Sequence, residues 1–408
     1  MVDVPVMLSV EDYLDRVLGL ATVLPAEDTP IGGGWGRVLV EDLPARLAVP
    51  PFDNSAMDGF AVRAADCAPG ALLRVVGDIP AGATGTPTVG PGEAARIMTG
   101  APLPPGADAV VPVELTDQPM GAAPLPSSVV VRDSTSAGRH VRRAGEDVQA
   151  GDLVLRAGAV WSPEAAAAAA SIGYGSVPLR RRPRVAVLAT GSELVAPGGA
   201  VGFGQIPDSN SLLVAGLVER FGGEVVLCRA VDDDPARFAA AMDDAVAADI
   251  VVTTGGVSVG AFEVVRQVVE DRIEFVKVAM QPGKPQACGT LRDPDGRGVA
   301  FLALPGNPVS VYVSFYAFLR PLIAAFQGLP PSWPSADLPV AEGWRSPPGR
   351  RQYTPVRIVD GAVRPAHRLG SGSHLVASLH LADGLAAVAE DVDGVSPGDV
   401  VAVHRTRA

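Results

Sequence analysis

A chain of 408 residues is longer than one hydrophobic core usually organises, so several domains are expected. Hydrophobic residues make up 48% of it, and its net charge of -12 argues against a nucleic acid partner, because neutralising phosphates requires clustered Lys and Arg. The apolar runs are short and punctuated, which predicts no membrane-spanning segment, and no secretion signal is legible at the start of the chain. Cys67, Cys228 and Cys288 are scattered without metal-ligand spacing; they read as packing residues of a protein in a reducing, cytoplasmic compartment.

The first predicted element is a helix from Ser9 to Ala21, capped by Ser9, with Val10, Tyr13, Leu14, Val17 and Leu18 on one face. From about Gly36 to Arg139 short alternating runs lie between Gly and Pro turns, as in Ala71–Val76 and Ala94–Met98, which is the texture of a small β barrel or sandwich. Residues 118–128, rich in Pro, Gly, Ala and Ser, read as an exposed loop. An Ala-rich helix follows over Pro163–Ile172, with Ser162 as its cap and Pro163 at its first position. Strand-like and helix-like runs then alternate from Arg184 to about Gln327, the pattern of a doubly wound α/β domain. Beyond the Pro-rich stretch after Gly328, residues 337–405 return to short strands with Gly turns.

Within the α/β region an apolar strand-like run three times breaks into a Gly turn and then a helix. The turns are Thr190-Gly-Ser-Glu193, Thr254-Gly-Gly-Val-Ser258 and Leu304-Pro305-Gly-Asn307. Three such turns at about sixty-residue spacing predict one parallel sheet whose strand C-termini share a face, where ligands of open α/β sheets bind. Glycine lets backbone N–H groups approach an anion and the following helix N-terminus adds partial positive charge, so a phosphorylated or oxyanionic ligand is expected. None of the turns matches G-x-G-x-x-G, and no Ser-His-Asp arrangement is legible.

Other polar clusters stay open between two readings. Asp53-Asn54-Ser55 and Asp58-Gly59, bracketed by Phe52, Met57 and Phe60, form either an ordinary turn or an anchored carboxylate loop. Thr99-Gly100 either contacts an anion or simply leaves a strand through a Pro turn. Asp147, after the basic stretch 139–143, serves surface charge pairing or a site edge. Asp232-Asp233-Asp234 includes a helix cap, yet three carboxylates exceed what capping needs and suit a hard cation. Lys277 and Lys284 flank an apolar run in a Lys-poor chain, which gives weight to an anion-binding role.

Eight ordered stretches resemble the molybdopterin molybdenumtransferase family, which inserts molybdenum in molybdenum cofactor synthesis. They are 51–62 (PFDNSAMDGFAV), 96–111 (RIMTGAPLPPGADAVV), 145–148 (GEDV), 190–194 (TGSEL), 205–211 (QIPDSNS), 254–260 (TGGVSVG), 281–285 (QPGKP) and 304–310 (LPGNPVS). The resemblance implies a multidomain α/β plus β fold with a central doubly wound α/β domain, an inserted β domain and a small C-terminal β barrel. Its implied boundaries are 1–50 with 140–180 for a discontinuous dimerisation domain, 51–139, 181–328 and 329–408. It implies a homodimer that takes adenylylated molybdopterin and molybdate, hydrolyses the adenylate with Mg2+ and releases AMP, with a molybdopterin adenylyltransferase or another pathway protein as partner.

Carried over residue by residue, Asp58, Thr99, Asp147, Glu193 and Asp232 fall on positions associated with activity, with Asp58, Glu193 and Asp232 as metal candidates. Ser258, Glu263, Lys277, Gln281, Lys284, Pro305, Asn307, Arg350 and Ser373 fall in the pterin and oxyanion region. The chain departs from the family pattern in having Glu263 where Asp is usual, Gln281 where Lys is frequent, Pro355 in place of a second Arg, and His374 in place of Gly. Two other readings remain: a molybdopterin adenylyltransferase, a single-domain enzyme that would not need residues 1–180 or 330–408, and a non-catalytic scaffold, which would call for long linkers and an appended domain.

Overall fold

The structure, a computed structural model, describes residues 7–256, 264–269, 272–370 and 372–407. They form two compact units, one of Met1–Glu27, Gly36–Val38 and Arg180–Ala408, the other of Asp28–Trp35 and Leu39–Leu179. The architecture is the expected multidomain α/β plus β fold. The expected grouping of 1–50 with 140–180 is divided, because helix α1 (Val10–Leu18) falls in the first unit while 39–50 and 140–179 fall in the second.

In the second unit, strands β1 (Gly59–Val62), β2 (Leu72–Ile79), β3 (Glu93–Ile97), β4 (Ala109–Pro112) and β5 (Ser128–Val130) form one sheet in the order β4-β1-β3-β2-β5. A bridge between Thr116 and Val131 joins the segments beyond the two outer strands and closes the sheet into a small barrel. Closure removes the exposed edges that an open five-stranded sheet would present. The strand sides alternate between two apolar clusters, one around Phe60, Leu73 and Val111, the other around Ile79, Ile97 and Val110. Gly59 makes the central pairing possible: a Cβ there would stand 2.0 Å from the Val111 carbonyl oxygen. The Ala-rich helix α2 (Pro163–Ser171) is capped by Ser162 as expected and buries Ala165, Ala166 and Ala169 beside Trp161 and Ile172.

In the first unit, strands β6 (Arg184–Thr190), β7 (Glu224–Val231), β8 (Ile250–Thr254), β9 (Ile273–Lys277), β11 (Pro285–Arg292) and β12 (Gly298–Leu304) form a six-stranded sheet, with the two-residue strand β10 (Met280–Gln281) lying outside it. Its order is β7-β6-β8-β12-β11-β9. The first four strands are parallel, while β11 runs antiparallel to both neighbours, so the sheet is mixed rather than wholly parallel. Helices α3 (Asn210–Arg220) and α4 (Pro235–Ala245) connect β6 to β7 and β7 to β8, and α5 (Val264–Val269) lies between β8 and β9.

One long helix, α6 (Pro308–Phe326), follows β12 and contains a π-helical segment over Phe315–Leu319. It corrects the expectation that no segment could cross a bilayer: by length and composition it could. Its apolarity has another cause, since 83% of it is buried inside the protein, and a helix apolar all round belongs in a core. The face of α1 packs on it; Tyr13 meets Phe318 edge-on with ring centroids 4.7 Å apart. Val10, Tyr13 and Val17 are thereby spent within the chain.

The C-terminal strands β13 (Ser335–Pro339), β14 (Arg351–Val359), β15 (Ala362–Pro365), β16 (Gly384–Val388) and β17 (Val400–Arg405) pair in the order β13-β17-β16-β14-β15. A bridge from Val340 to Val363 completes the expected small barrel. Strand β10 lies parallel to the start of β14, with Gln281 opposite Gln352.

Gly59→Ala is expected to destabilise the second unit by about 3 kcal/mol or more, because the new methyl meets backbone rather than a side chain that could swing away. Urea unfolding followed by circular dichroism checks this; an unchanged midpoint would refute the close approach.

Candidate functional site

Three of the stretches singled out in the sequence converge in the second unit. The backbone N–H and the hydroxyl of Thr99 both donate to Asp58 Oδ1, at 2.6 and 2.8 Å. Gly100 N donates to Ser55 O at 2.8 Å, and Ser55 N to Ala101 O at 3.0 Å. Gly145 N reaches Pro50 O and Asp147 N reaches Val49 O, so the 145–148 stretch lies against the start of the 51–62 stretch. The first open reading of Asp53 is the better one: it accepts from Ala144 N and pairs with Arg143, a structural turn. Asp58 differs. The two donors of Thr99, its backbone N–H first, hold the Asp58 carboxyl below the ordinary aspartate range, and Oδ2 accepts no hydrogen bond among the described residues.

In the first unit the parallel order β6-β8-β12 places the C-terminal turns of all three strands side by side, as the Gly-turn pattern predicts, but the first turn runs into a two-residue strand, Leu194–Val195, and the expected helix begins only at Asn210. Gly255 has φ +93°, and a Cβ there would stand 2.7 Å from Thr190 O. A Cβ on Gly306 would stand 3.4 Å from Gly255 Cα, and Gly255 N donates to Leu304 O. The glycines therefore let three backbones touch.

Around this cluster the acids take separate tasks. Asp234 caps α4 through Ala236 N and Arg237 N. Asp233 exchanges hydrogen bonds with Ser192 in the first turn. Asp232 pairs with Arg237 at 2.6 Å through Oδ2, while its Oδ1 is buried without a partner. The Glu193 carboxylate folds over Gly191, its Oε2 2.6 Å from where a Cβ of residue 191 would be. Among the described residues no group of three or more His, Cys, Asp or Glu is arranged to hold a metal ion.

The residues expected to meet an oxyanion are linked through β10 and α6. Arg350 Nη1 donates to Gln281 Oε1 at 2.9 Å. In the same turn, Gln286 donates to Gly283 O and to Ser314 Oγ of α6. Val309 N, at the start of α6 just beyond Pro305 and Asn307, donates to Ser373 O at 2.9 Å. Lys284 O accepts from Val278 N, and Lys277 O from Leu8 N. Ser258 and Glu263 lie outside the described residues.

Asn210 escaped the reading of the sequence. Its Nδ2 donates to Gly306 O at 2.7 Å, tying the start of α3 to the third turn, and its Oδ1 is buried without a partner. Its signal was present in the 205–211 stretch, whose polar residues read equally well as a helix start.

Family models match the same regions: "MoeA N-terminal region (domain I and II)" over 8–173, "Probable molybdopterin binding domain" over 186–325, and "MoeA C-terminal region (domain IV)" over 337–405. A Mycobacterium tuberculosis protein named molybdopterin molybdenumtransferase 2 is 41% identical, over 96% of this chain and 98% of its own length. The chain belongs to the molybdopterin molybdenumtransferase family. A Nostoc member is 35% identical over 98% of this chain and 89% of its own. A solved molybdopterin biosynthesis MoeA protein from Pyrococcus horikoshii superposes with a TM-score of 0.82 at 30% identity, covering 99% of this chain and all of that one.

Matches along whole chains dispose of the single-domain alternative, which would leave both β-rich regions without a counterpart. For this molybdenumtransferase family member, the pairing of Asp58 with Thr99 is the most explicit side-chain geometry among the expected activity residues. Because the folded carboxyl is held low, its contribution to stability is present above the ordinary aspartate range and is lost as pH falls through the lowered folded value. Thr99→Val removes the hydroxyl donor and keeps the backbone N–H. Carboxyl NMR is expected to show Asp58 titrating higher than in the wild type yet still below an unperturbed aspartate; an unchanged titration would show that the hydroxyl is not a partner.

Proposed function

We propose that the chain inserts molybdenum from molybdate into adenylylated molybdopterin, with Mg2+-dependent hydrolysis of the adenylate and release of AMP. Molybdenum insertion is the activity named for its family relatives. The observation that carries the reading to this chain is the cluster of three touching Gly turns at the ends of β6, β8 and β12. The third turn leads straight into the long helix that begins at Pro308, and a helix start complements phosphate oxygens without a large net positive charge. That suits an acidic protein acting on an anionic substrate.

The first unit carries oxygen donors of the kind that Mg2+ takes. Asp232 Oδ1 and Asn210 Oδ1 are buried oxygens without partners, and Glu193 supplies a further carboxylate. All are hard oxygen ligands, and too few to encage an ion, as expected for Mg2+, which keeps waters and substrate phosphate oxygens in its shell. Asp232 and Glu193 would hold it; when bound it would neutralise charge building on the phosphate during hydrolysis. Asp58, in the other unit, keeps one carboxylate oxygen free of hydrogen bonds among the described residues, able to accept from a water. Arg350 presents a planar fork of donors suited to a tetrahedral dianion, and Gln281 fixes its orientation through Nη1. Gln281, where a lysine is frequent in the family, thus compensates for lost charge by steering the arginine.

A homodimer remains part of the proposal, with delivery of the pterin by an adenylyltransferase. Val10, Tyr13 and Val17 of α1 and Ala165, Ala166 and Ala169 of α2 are buried within their own units, so a dimer would draw on other surfaces of these helices or of the chain. Light scattering at micromolar concentration is expected to give twice the 41.7 kDa chain mass; a monomer throughout would overturn the dimer alone.

Two kinds of variant test the chemistry. Glu193→Gln and Asp58→Asn are expected to slow AMP release while circular dichroism stays unchanged; wild-type release by both would overturn the carboxylate roles. Arg350→Ala is expected to raise the molybdate concentration for half-maximal insertion about tenfold, the scale of one charged hydrogen bond, and excess molybdate should restore the rate. An unaltered molybdate dependence would remove Arg350 from the site.

A further inference from the structure

A cleft in the first unit runs along α3 and contains none of the residues assigned to molybdenum insertion. Its volume is 460 Å³, within the range of small-molecule sites. Its walls are α3, α6 and the 3-10 turn Val376–Leu381, and Thr406 and Arg407 stand at one end.

Most of the lining is apolar. Leu212, Leu213 and Leu217 come from α3, and Val376 and Leu379 from the 3-10 turn. Leu212 is 63% exposed and Val376 36%, so apolar surface stays open to water in a concave place. Scattered exposed leucines need no explanation, but a gathered patch marks a binding surface.

The polar end is built round Tyr316. Its hydroxyl donates to Thr406 O at 2.9 Å, and its ring meets Tyr312 and Phe221 edge-on, with centroids 5.0 and 5.6 Å away. The Arg220 guanidinium stands 5.6 Å from the centre of the same Phe221 ring, and Arg407 directly follows Thr406. Both arginines line the cleft, and no Asp or Glu does. Arg220 forms no ion pair among the described residues, while Arg407 reaches Asp383 at 3.4 Å. Thr406 is 2% exposed, and its Oγ1 has no hydrogen-bond partner among the described residues. In a chain with 45 acids and 33 Lys and Arg, a cleft whose charged lining is cationic selects an anion.

We propose that this cleft binds a small amphiphilic carboxylate, with its apolar chain along α3 and its head between Arg220 and Arg407. From Leu212 to Arg220 the helix rises about 12 Å, and over that length the lining passes from apolar to cationic. A guanidinium meets a carboxylate through two parallel N–H bonds, and the Thr406 hydroxyl adds a donor nearby. An extended peptide fits less well. Peptides draw affinity from main-chain bonds to a sheet edge or to open backbone donors. Here the walls are mainly helical, and backbone groups inside a helix are already bonded to one another.

The full-length protein, with 13C-labelled Leu and Val methyl groups, is titrated with octanoate, 1-octanol and octylamine. Octanoate is expected to shift the methyl signals of Leu213, Leu217 and Val376 saturably, and to bind about tenfold more tightly than either neutral or cationic analogue. Arg220→Gln changes an exposed side chain and should weaken octanoate about tenfold while leaving 1-octanol as it was. Arg407→Gln should act in the same direction. Equal binding of octanoate and 1-octanol would overturn the proposal, as would shifts confined to other methyl groups or an octanoate affinity unaltered in both arginine variants. A short peptide ending in a free leucine carboxylate is the competing occupant. If it binds more tightly than octanoate and displaces it, the cleft belongs to a protein terminus and the small-molecule assignment is wrong.

Discussion

The first unit depends on backbone meeting backbone at the ends of three parallel strands. Gly255 lies against the Thr190 carbonyl and Gly306 against Gly255, so no side chain separates the turns. Everything expected to bind an anion is arranged from that contact outward. Helix α6 begins one residue after Asn307; its start holds Ser373 through Val309, and its middle holds the 281–285 turn through Ser314. Asn210 adds α3 to the same point through Gly306. A methyl at Gly255 would need both an unfavourable φ and a 2.7 Å approach, so the contact tolerates no other residue without moving the turns apart.

The two barrels solve a different problem with one device. Each is an incomplete sheet closed by an isolated bridge, Thr116 to Val131 in one and Val340 to Val363 in the other. In both, the segments next to the bridge carry functional geometry. The 118–126 segment, held by Arg96 through Ala123 O, begins just past Thr116, and strand β14, whose start receives Gln281 and follows Arg350, lies beside the strand that contains Val363. Barrel closure thus fixes loops that periodicity alone would leave free.

Much of this was legible beforehand. The parallel order of β6, β8 and β12 followed from strand-turn repetition, and the caps at Ser9 and Ser162 followed from residue type and position. The antiparallel β11 did not, because nothing in a short apolar run states the direction of its neighbour. The length of α6 was missed because Pro308 and Pro321 interrupt its apolar run; Pro308 opens the helix, where proline costs little, and Pro321 lies just beyond the π-helical segment Phe315–Leu319. For the site, Asp58 and Thr99 were both named, yet their direct contact joins residues 41 apart and is visible only in the fold. Asp232, Asp233 and Asp234 looked alike in the sequence; an ion pair, a turn and a cap distinguish them.

Helix α6 also bears on how the chain is made. A ribosome releasing Pro308–Phe326 exposes a segment apolar enough to be mistaken for a membrane anchor by any factor that reads hydrophobicity. Every strand of the six-stranded sheet, from Arg184 to Leu304, precedes it in the chain. The surface that must bury the helix has therefore already left the ribosome when the helix appears, and domains generally fold in that order during synthesis. Moving this helix ahead of its sheet by circular permutation would preserve every native contact while turning a core element into an exposed hydrophobic signal during translation.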